Sequence, residues 1–445
     1  MRRNTPPVSD YVTGTTGQPK VWAISEYYAP NFSGAAIQAH KILSRLVDRG
    51  LRVEVLTLAD HEATGLRGQR QVLDRVVIHY LPVVPLGSWQ FLRGIPRLQQ
   101  AARQLNRLLR DLSFHWAIAF AVIFRMQRRD IVQWYVVGDF AWPVFWLAAR
   151  LGRRNFIQVS LVGADDPLSF QRSLLGVSTA LKRACFRVAE KTIGLSRALT
   201  TRCEQAGVPS QQIIRIPNGV DVQRFAPQPQ LRDAVCQQLQ LSPTRRYLVF
   251  LGSAIERKGI DLAIRAFLPV AQRHPELDLL VIGECDFRDG RRFPPDRQAF
   301  VEQLQAEAAA ADCATRIHWR GMQADVVPYL QVAELLVFPT RREGLPNALA
   351  EAMSCGLPVL ASRLEGITTD LVTDGIEGRL VDGFDAADYE AALEQLWRES
   401  HLRTEMGLAA RRRIENEFAL TQIVARYEDL YRGVNLGSTA EHVLR

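Results

Sequence analysis

Short apolar runs rich in β-branched residues alternate along this chain with amphipathic stretches of helical period. Starting at Val21, VWAIS is followed by a predicted helix over about Ile37–Arg49, stopped by Gly50, and then by the runs RVEVLTL and RVVIHYL. The rhythm continues through IVQWYVV, a helix near Phe140–Arg150, FIQVSLVG, a helix near Leu174–Ala189 and TIGLS. Such βαβ alternation builds a parallel sheet with helices on both faces. After IIRIPNGVD the pattern breaks at residues 226–230, which carry two prolines and no periodicity and read as a connector. It then restarts with YLVFLG, a helix over Gly259–Gln272, LDLLVIG, a helix over Gln298–Ala311, IHWRG, LLVFP and PVLAS. The tail from Asp385 to Tyr431 is helical throughout.

These elements predict an α/β protein with a polar leader over 1–19, a first domain over 20–225, a linker over 226–245 and a second domain over 246–419. Two apolar stretches, Leu112–Met126 and Ile131–Leu151, are too short or too interrupted to span a bilayer. They read as a buried helix, a strand and a further helix, with an in-plane membrane contact as the alternative. The leader has no apolar run suited to a signal peptide, which points to the cytoplasm.

Composition narrows the classes. With 445 residues, 47% apolar and 23% charged, the chain is neither fibrous nor wholly disordered. Its six cysteines are scattered with no C-x-x-C pair, so a disulfide framework or zinc ribbon is excluded and a reducing compartment is expected. The eight histidines form no metal-type cluster, and His318 is expected to pack within its strand. The net charge of +8 is uneven: residues 1–210 hold 28 Lys and Arg against 14 Asp and Glu (+14), leaving 27 against 33 (−6) for the rest. Arginines 93, 97, 103, 107 and 110 recur at helical spacing near Trp89 and Phe91, a pattern that fits either an anionic membrane surface or a solvated helix face. No nucleic-acid-binding signature accompanies the basic half, although a basic nucleic-acid binder is the reading from another class.

Ligands of doubly wound sheets settle where strands run out into helices. The first such loop, Tyr27–Ala36, has small residues from Ser33 to Ala36, including Gly34, that let backbone amides approach a ligand. The loop Leu251–Gly259 carries Arg257 and Lys258 at a helix start, two cations suited to a diphosphate. The loop Thr340–Glu351 has Glu343 before a Gly-x-Pro turn and Glu351 on the apolar face of ALAEAM. The eight-residue spacing carries nothing alone, since Glu54/Glu62 and Glu276/Glu284 share it; the context does, because a carboxylate among apolar residues needs donors such as sugar hydroxyls.

The run EGLPNALAEAMSCGLPVLAS, with IPNGVDVQRF and LGSAIERKGIDLAIRAF before it, resembles the retaining glycosyltransferases of family 4. The resemblance covers about residues 20–435 and is densest over 213–225 and 247–382. It implies the GT-B fold: two facing Rossmann-like domains, an acceptor in the first, a nucleotide sugar in the second, and a last helix, about 420–436, crossing back to the first domain. Carried over by position, Glu343 would meet hydroxyls of the donor hexose, Asn347 and Ala348 would reach sugar and phosphate through their amides, and Glu351 would hold the ribose. Lys258, with Arg257 beside it, would neutralise the leaving diphosphate, and the backbone at Gly321 and Met322 would read the base. No metal or other cofactor is implied.

The implied function is transfer of a hexose from a nucleoside diphosphate sugar to a lipid-linked or polysaccharide acceptor in envelope or exopolysaccharide synthesis, by an enzyme of the cytoplasm or of the inner membrane face. A UDP-sugar epimerase or a phosphorylase on the same fold is the alternative. Three positions depart from the family pattern: Ser253 stands where many relatives have Arg, Gly34-Ala35 where many have Gly-Gly, and the loop from Val159 to Pro167 lacks the usual histidine. Asp165 and Asp166 in that loop are read as ligands of acceptor hydroxyls, with Asp165 as a mere turn cap the alternative.

Overall fold

The computed structural model describes residues 19–28, 34–58, 68–81, 96–135, 141–169, 179–287 and 295–433. The chain divides into two compact units: residues 1–195, 199–216 and 424–436 form the first, and residues 196–198, 217–423 and 437–445 the second.

In the first unit the described elements run β1 (Lys20–Ser25), α1 (Gly34–Asp48), β2 (Arg52–Leu58), β3 (Arg70–Leu73), β4 (Val76–Leu81), α2 (Pro96–Phe124), β5 (Ile131–Trp134), α3 (Ala141–Arg150), β6 (Arg154–Val159), α4 (Thr179–Val188), β7 (Lys191–Gly194), α5 (Arg197–Gln205) and β8 (Ile213–Arg215). The sheet order is β3-β4-β2-β1-β5-β6-β7-β8, and every pairing is parallel except β3 with β4. The sequence pattern missed β3 because its hairpin turns through Asp74 and Arg75, both at positive φ (46° and 64°) without the glycine that usually marks such a turn. Because crossovers are right-handed, the rightward steps from β4 to β5, β6 and β7 put α2, α3 and α4 on one face, with α3 against both neighbours.

α2 differs from the expected buried helix. Phe114, Ile118, Ala121 and Val122 are buried, but Trp116, Phe120, Ile123 and Phe124 are exposed. Among the described residues no helix is long and apolar enough to cross a membrane.

The second unit holds α6 (Arg232–Gln238), β9 (Arg246–Leu251), α7 (Ile260–Arg273), β10 (Leu277–Ile282), α8 (Pro295–Ala310), β11 (Ile317–Gly321), α9 (Val327–Val332), β12 (Ala333–Phe338), α10 (Asn347–Ser354), β13 (Val359–Ser362), β14 (Gly378–Val381), α11 (Ala386–Arg398) and α12 (Ser400–Glu417). Its sheet is wholly parallel, in the order β11-β10-β9-β12-β13-β14. Leu248, Phe250, Leu279, Val281, Leu335 and Val337 are buried in its core together with Phe267 and Trp397 from the helices.

The stretch expected as a linker, 226–245, is folded onto this unit. Pro229 opens a short 3-10 turn, Val235 and Cys236 of α6 are buried, and the Arg232 guanidinium donates to the carbonyls of Pro243 and Arg245 at 2.8 and 2.7 Å. One helix of seven residues is too short to show a period in sequence. The last helix, α13 (Leu420–Arg432), passes into the first unit from Val424 onward. There the Tyr427 and Tyr431 hydroxyls donate to Gln158 and Gln133, both at 2.9 Å and both buried.

Glu54 on β2 gives the first unit a measurable pH dependence. Burial raises the cost of its charge, but hydrogen bonds from His79 (2.7 Å) and Lys20 (2.6 Å) outweigh that cost and hold its pKa at about 2. An ionised carboxylate only accepts, so Nε2 of His79 carries the proton. The folded pKa lies below the unfolded one, so the contribution, on the order of 3 kcal/mol, is complete above about pH 4.5 and lost as the pH falls toward 2. Thermal unfolding across that range should show Glu54→Gln less stable than the parent at neutral pH, with the gap closing toward pH 2; a gap independent of pH contradicts this account.

Candidate functional site

β9 and β12 are neighbours in the second sheet, but the chain leaves them in opposite directions, β9 toward β10 and β12 toward β13. Their carboxyl ends therefore flank a switch point, the crevice that doubly wound sheets use for ligands. The segments that leave them, 252–259 and 339–347, are the two loops with the sequence's cationic and acidic candidates.

The loops meet backbone to backbone. After β9 the chain makes a 3-10 turn over Glu256–Lys258 and enters α7 through Gly259, whose φ of 77° is left-handed. A Cβ at Gly259 would lie 1.8 Å from the carbonyl oxygen of Pro339, so only glycine permits this approach. Five further bonds seal the contact. The Arg341 amide and the Thr340 hydroxyl donate to the Arg257 carbonyl at 2.9 and 3.2 Å, and Nη1 of Arg257 returns a bond to the Arg342 carbonyl at 2.8 Å. The Arg341 guanidinium grips the buried Asp261 of α7 with two nitrogens, at 2.8 and 2.7 Å.

This frame brings Lys258 and Glu343 together. Nζ of Lys258 lies 2.5 Å from Oε1 of Glu343, Nη1 of Arg257 is 3.8 Å from the same oxygen, and the buried Thr340 hydroxyl, 3.1 Å from it, shares its one proton between this oxygen and the Arg257 carbonyl. Glu343 itself is buried. Four residues on, α10 begins at Asn347 behind Pro346, a cap position that offers no side-chain acceptor to the first-turn amides. Asn218 of the PNGV stretch donates to Oδ1 of Asn347 at 2.8 Å and fixes that helix start. Two cations and a helix N-terminus beside one buried carboxylate suit a ligand that presents both an anion and hydroxyl donors.

Residues 245–399 match the family described as glycosyl transferases group 1, and residues 33–219 the glycosyl transferase 4-like domain. The chain is 30% identical to a D-inositol 3-phosphate glycosyltransferase of Geodermatophilus obscurus, over 82% of this chain and 78% of that one. The chain is a group 1 glycosyltransferase. It is also 29% identical to a GDP-mannose-dependent α-(1-6)-phosphatidylinositol monomannoside mannosyltransferase of Mycolicibacterium smegmatis, over 60% of this chain and 66% of that one. The Anabaena protein HepE, solved in complex with UDP and glucose, superposes with a TM-score of 0.68 at 18% identity, covering 93% of this chain and all of HepE. The fold is GT-B.

The glycosyltransferase places its other sequence candidates unevenly. Gly321 (φ 66°) and the exposed Met322 end β11 on the same carboxyl edge, where the Gly283 amide donates to the Gly321 carbonyl at 2.9 Å. Ala348 and the half-buried Glu351 lie in the first and second turns of α10. Gly34 is the exposed first residue of α1, and residues 29–33 before it lie outside the described residues, as do residues 1–18 of the leader, Trp89, Phe91 and Arg93. Among the described residues no group of three or more His, Cys, Asp or Glu is placed to hold a metal.

Of the two readings of this acidic pair, acceptor ligand or turn cap, the hydrogen bonds of Asp165 and Asp166 match the second. Oδ1 and Oδ2 of Asp165 accept from the amides of Leu161 and Ser160, both at 2.8 Å, and from the Ser160 hydroxyl. Asp166 is fully buried and accepts from the amides of Gly163 and Leu168, the Ser169 hydroxyl and the Arg202 guanidinium. Burial favours the neutral Asp166, yet these four donors lower its pKa and keep the carboxylate charged. Its lone pairs serve the loop. Sequence reasoning in turn missed Asp261, Thr340, Arg341 and Asn218, which touch the candidates without standing out by type or spacing.

The Gly259–Pro339 contact is directly testable. Gly259→Ala incurs about 1 kcal/mol or more for the left-handed backbone and also forces the two loops apart. We expect a drop of about 100-fold in glycosyl transfer with the second unit still folded by circular dichroism, since small misplacements of a catalytic group cost that much. Wild-type turnover in this variant contradicts the assignment.

Proposed function

We propose that this enzyme is a retaining hexosyltransferase that takes its sugar from a nucleoside diphosphate sugar and delivers it to a lipid-linked or polysaccharide acceptor. The observation that carries the reading is the Lys258–Glu343 pair at the switch point, with Arg257 beside it and the start of α10 four residues beyond Glu343. Each member of the pair has a ready exchange partner in such a donor. Diphosphate oxygens take Lys258 and Arg257, and hydroxyls of the hexose take Glu343.

In the transition state negative charge builds on the departing diphosphate, so cations and helix-end amides fixed beforehand stabilise it more than they stabilise the bound donor. We assign that task to Lys258, Arg257 and the amides of Asn347 and Ala348, with no metal required for the counter-charge. Glu351 is assigned to the ribose hydroxyls and the backbone at Gly321 and Met322 to the base. Retention then follows front-face attack by the acceptor hydroxyl, whose proton passes to a diphosphate oxygen as the sugar–phosphate bond breaks. We place the reaction at the cytoplasmic face of a membrane: a lipid-linked acceptor sits there, and the +14 of residues 1–210 suits an anionic leaflet. The mycobacterial relative's own lipid substrate supports that acceptor class.

Calorimetric titration with UDP, GDP and ADP decides the donor class: at least one should bind, and silence from all three removes the proposal. With the donor known, Lys258→Ala should cut kcat by about 100-fold with a smaller effect on KM, because the charge it meets develops in the transition state. Glu351→Ala should instead weaken nucleotide binding by about tenfold, the loss of a charged hydrogen bond.

A further inference from the structure

The C-terminal half of α2 turns its rings outward. Trp116 is 75% exposed, Phe120 57% and Phe124 69%, with Ile123 exposed between them. These positions (i, i+4, i+7, i+8) form one stripe about 12 Å long. The Phe120 and Phe124 rings lie 4.6 Å apart, so the stripe is a continuous apolar surface. Single exposed apolar residues are ordinary, but four on one helical face, three of them aromatic, mark a surface that is covered in use.

α3 extends the patch. It lies beside α2 on the same face of the sheet, and its Trp146 is exposed, with the Arg150 guanidinium 4.2 Å from the ring centroid. The two helix ends are tied together: Nη2 of Arg153 donates to the Val122 carbonyl at 3.2 Å, and the Arg128 side chain lies against Gly152.

Charge identifies the occupant. Residues 112–129 and 141–164 contain no Asp or Glu, while Arg125, Arg128, Arg129, Arg150 and Arg153 lie within them. Arg125, Arg128 and Arg129 are exposed and have no carboxylate partner among the described residues. A second copy of the chain docked here about a twofold axis would bring these cations against their equivalents. An anionic bilayer instead accepts rings at the headgroup boundary and neutralises arginines at the same depth. We infer that the stripe Trp116–Phe120–Phe124 with Trp146, rimmed by Arg125, Arg128, Arg129 and Arg150, is the surface by which this enzyme lies on an anionic phospholipid membrane. The inference rests on the membrane location proposed above and assigns it a face different from the arginine series at 93–110. Of that series only Arg110 has a described side chain, and it pairs with Asp111.

The full chain should float with vesicles of phosphatidylcholine containing roughly 30% phosphatidylglycerol and much less with phosphatidylcholine alone. Trp116→Ser/Phe120→Ser/Phe124→Ser should lower the bound fraction about tenfold, and Arg128→Glu/Arg129→Glu should do the same, both with unchanged thermal midpoints. Arg412→Glu, an exposed charge reversal in the second unit, should leave binding intact. Binding that survives both multiple variants, or that Arg412→Glu reduces as much, overturns the choice of face and leaves the membrane location standing. A parent that floats with neither vesicle overturns both. So does a dimer in light scattering that the ring variant dissolves when no vesicle binds, because the stripe is then covered by a second copy.

Discussion

A buried carboxylate sets the terms for the whole second unit. Glu343 lies in the sheet's switch point, out of water, and an unpaired ion there would cost several kcal/mol. Lys258 and the Thr340 hydroxyl meet that demand, and both can do so only while the loops after β9 and β12 stay in register. Gly259 makes the register possible and the Asp261–Arg341 clamp holds it. Each element is therefore explained by what it does for one ion pair.

Such a pair is also poised for exchange. Separated from each other without replacement, Lys258 and Glu343 would leave two poorly solvated charges, so the pair excludes water and weak ligands alike. A ligand that carries an anion for the ammonium and hydroxyls for the carboxylate replaces both partners in one event. The net cost of opening is then small, and the cations stand in place before any charge develops. The preorganisation lies in the fold, since α7, α10 and two strand ends are fixed by backbone contacts that no ligand has to create.

Much of this could be read from the chain beforehand. Alternating strand and helix periods are strong signals over long elements, which is why most strands of both sheets and many of the helices were expected close to where they lie, whereas the short β3, β14, α5 and α9 were not. Lys258, Glu343 and Asn347 stood out because their motif puts unusual residue types at a strand-to-helix junction. What the pattern could not carry was three-dimensional context. α6 has too few residues to show a period, and the β3–β4 turn uses Asp74 and Arg75 where a glycine would have announced it. Asp165 and Asp166 looked free because their partners, Ser160 five residues before Asp165 and Ser169 and Arg202 three and thirty-six residues after Asp166, are ordinary residue types. Leu112–Met126 was expected to be buried because hydropathy counts apolar residues and does not say which side of a helix the sheet covers.

The two basic features of the molecule differ in a way that net charge hides. In the second unit, cations such as Lys258, Arg341, Arg245 and Arg246 each face a carboxylate, so their charge is spent on holding loops and strand ends. Just past the end of α2 the arginines at 125, 128 and 129 face none among the described residues, and residues 112–129 contain no acidic residue. Paired cations in a −6 half and unpaired cations beside exposed rings in a +14 half do different work. In the proposed reaction Lys258 alone of the paired cations exchanges its carboxylate for one specific anion, whereas the cations beside the exposed rings attract any dense anionic surface. The proposed small charged donor and lipid-embedded acceptor call on both kinds, and keeping them on separate elements prevents the surface from competing for the donor's phosphates.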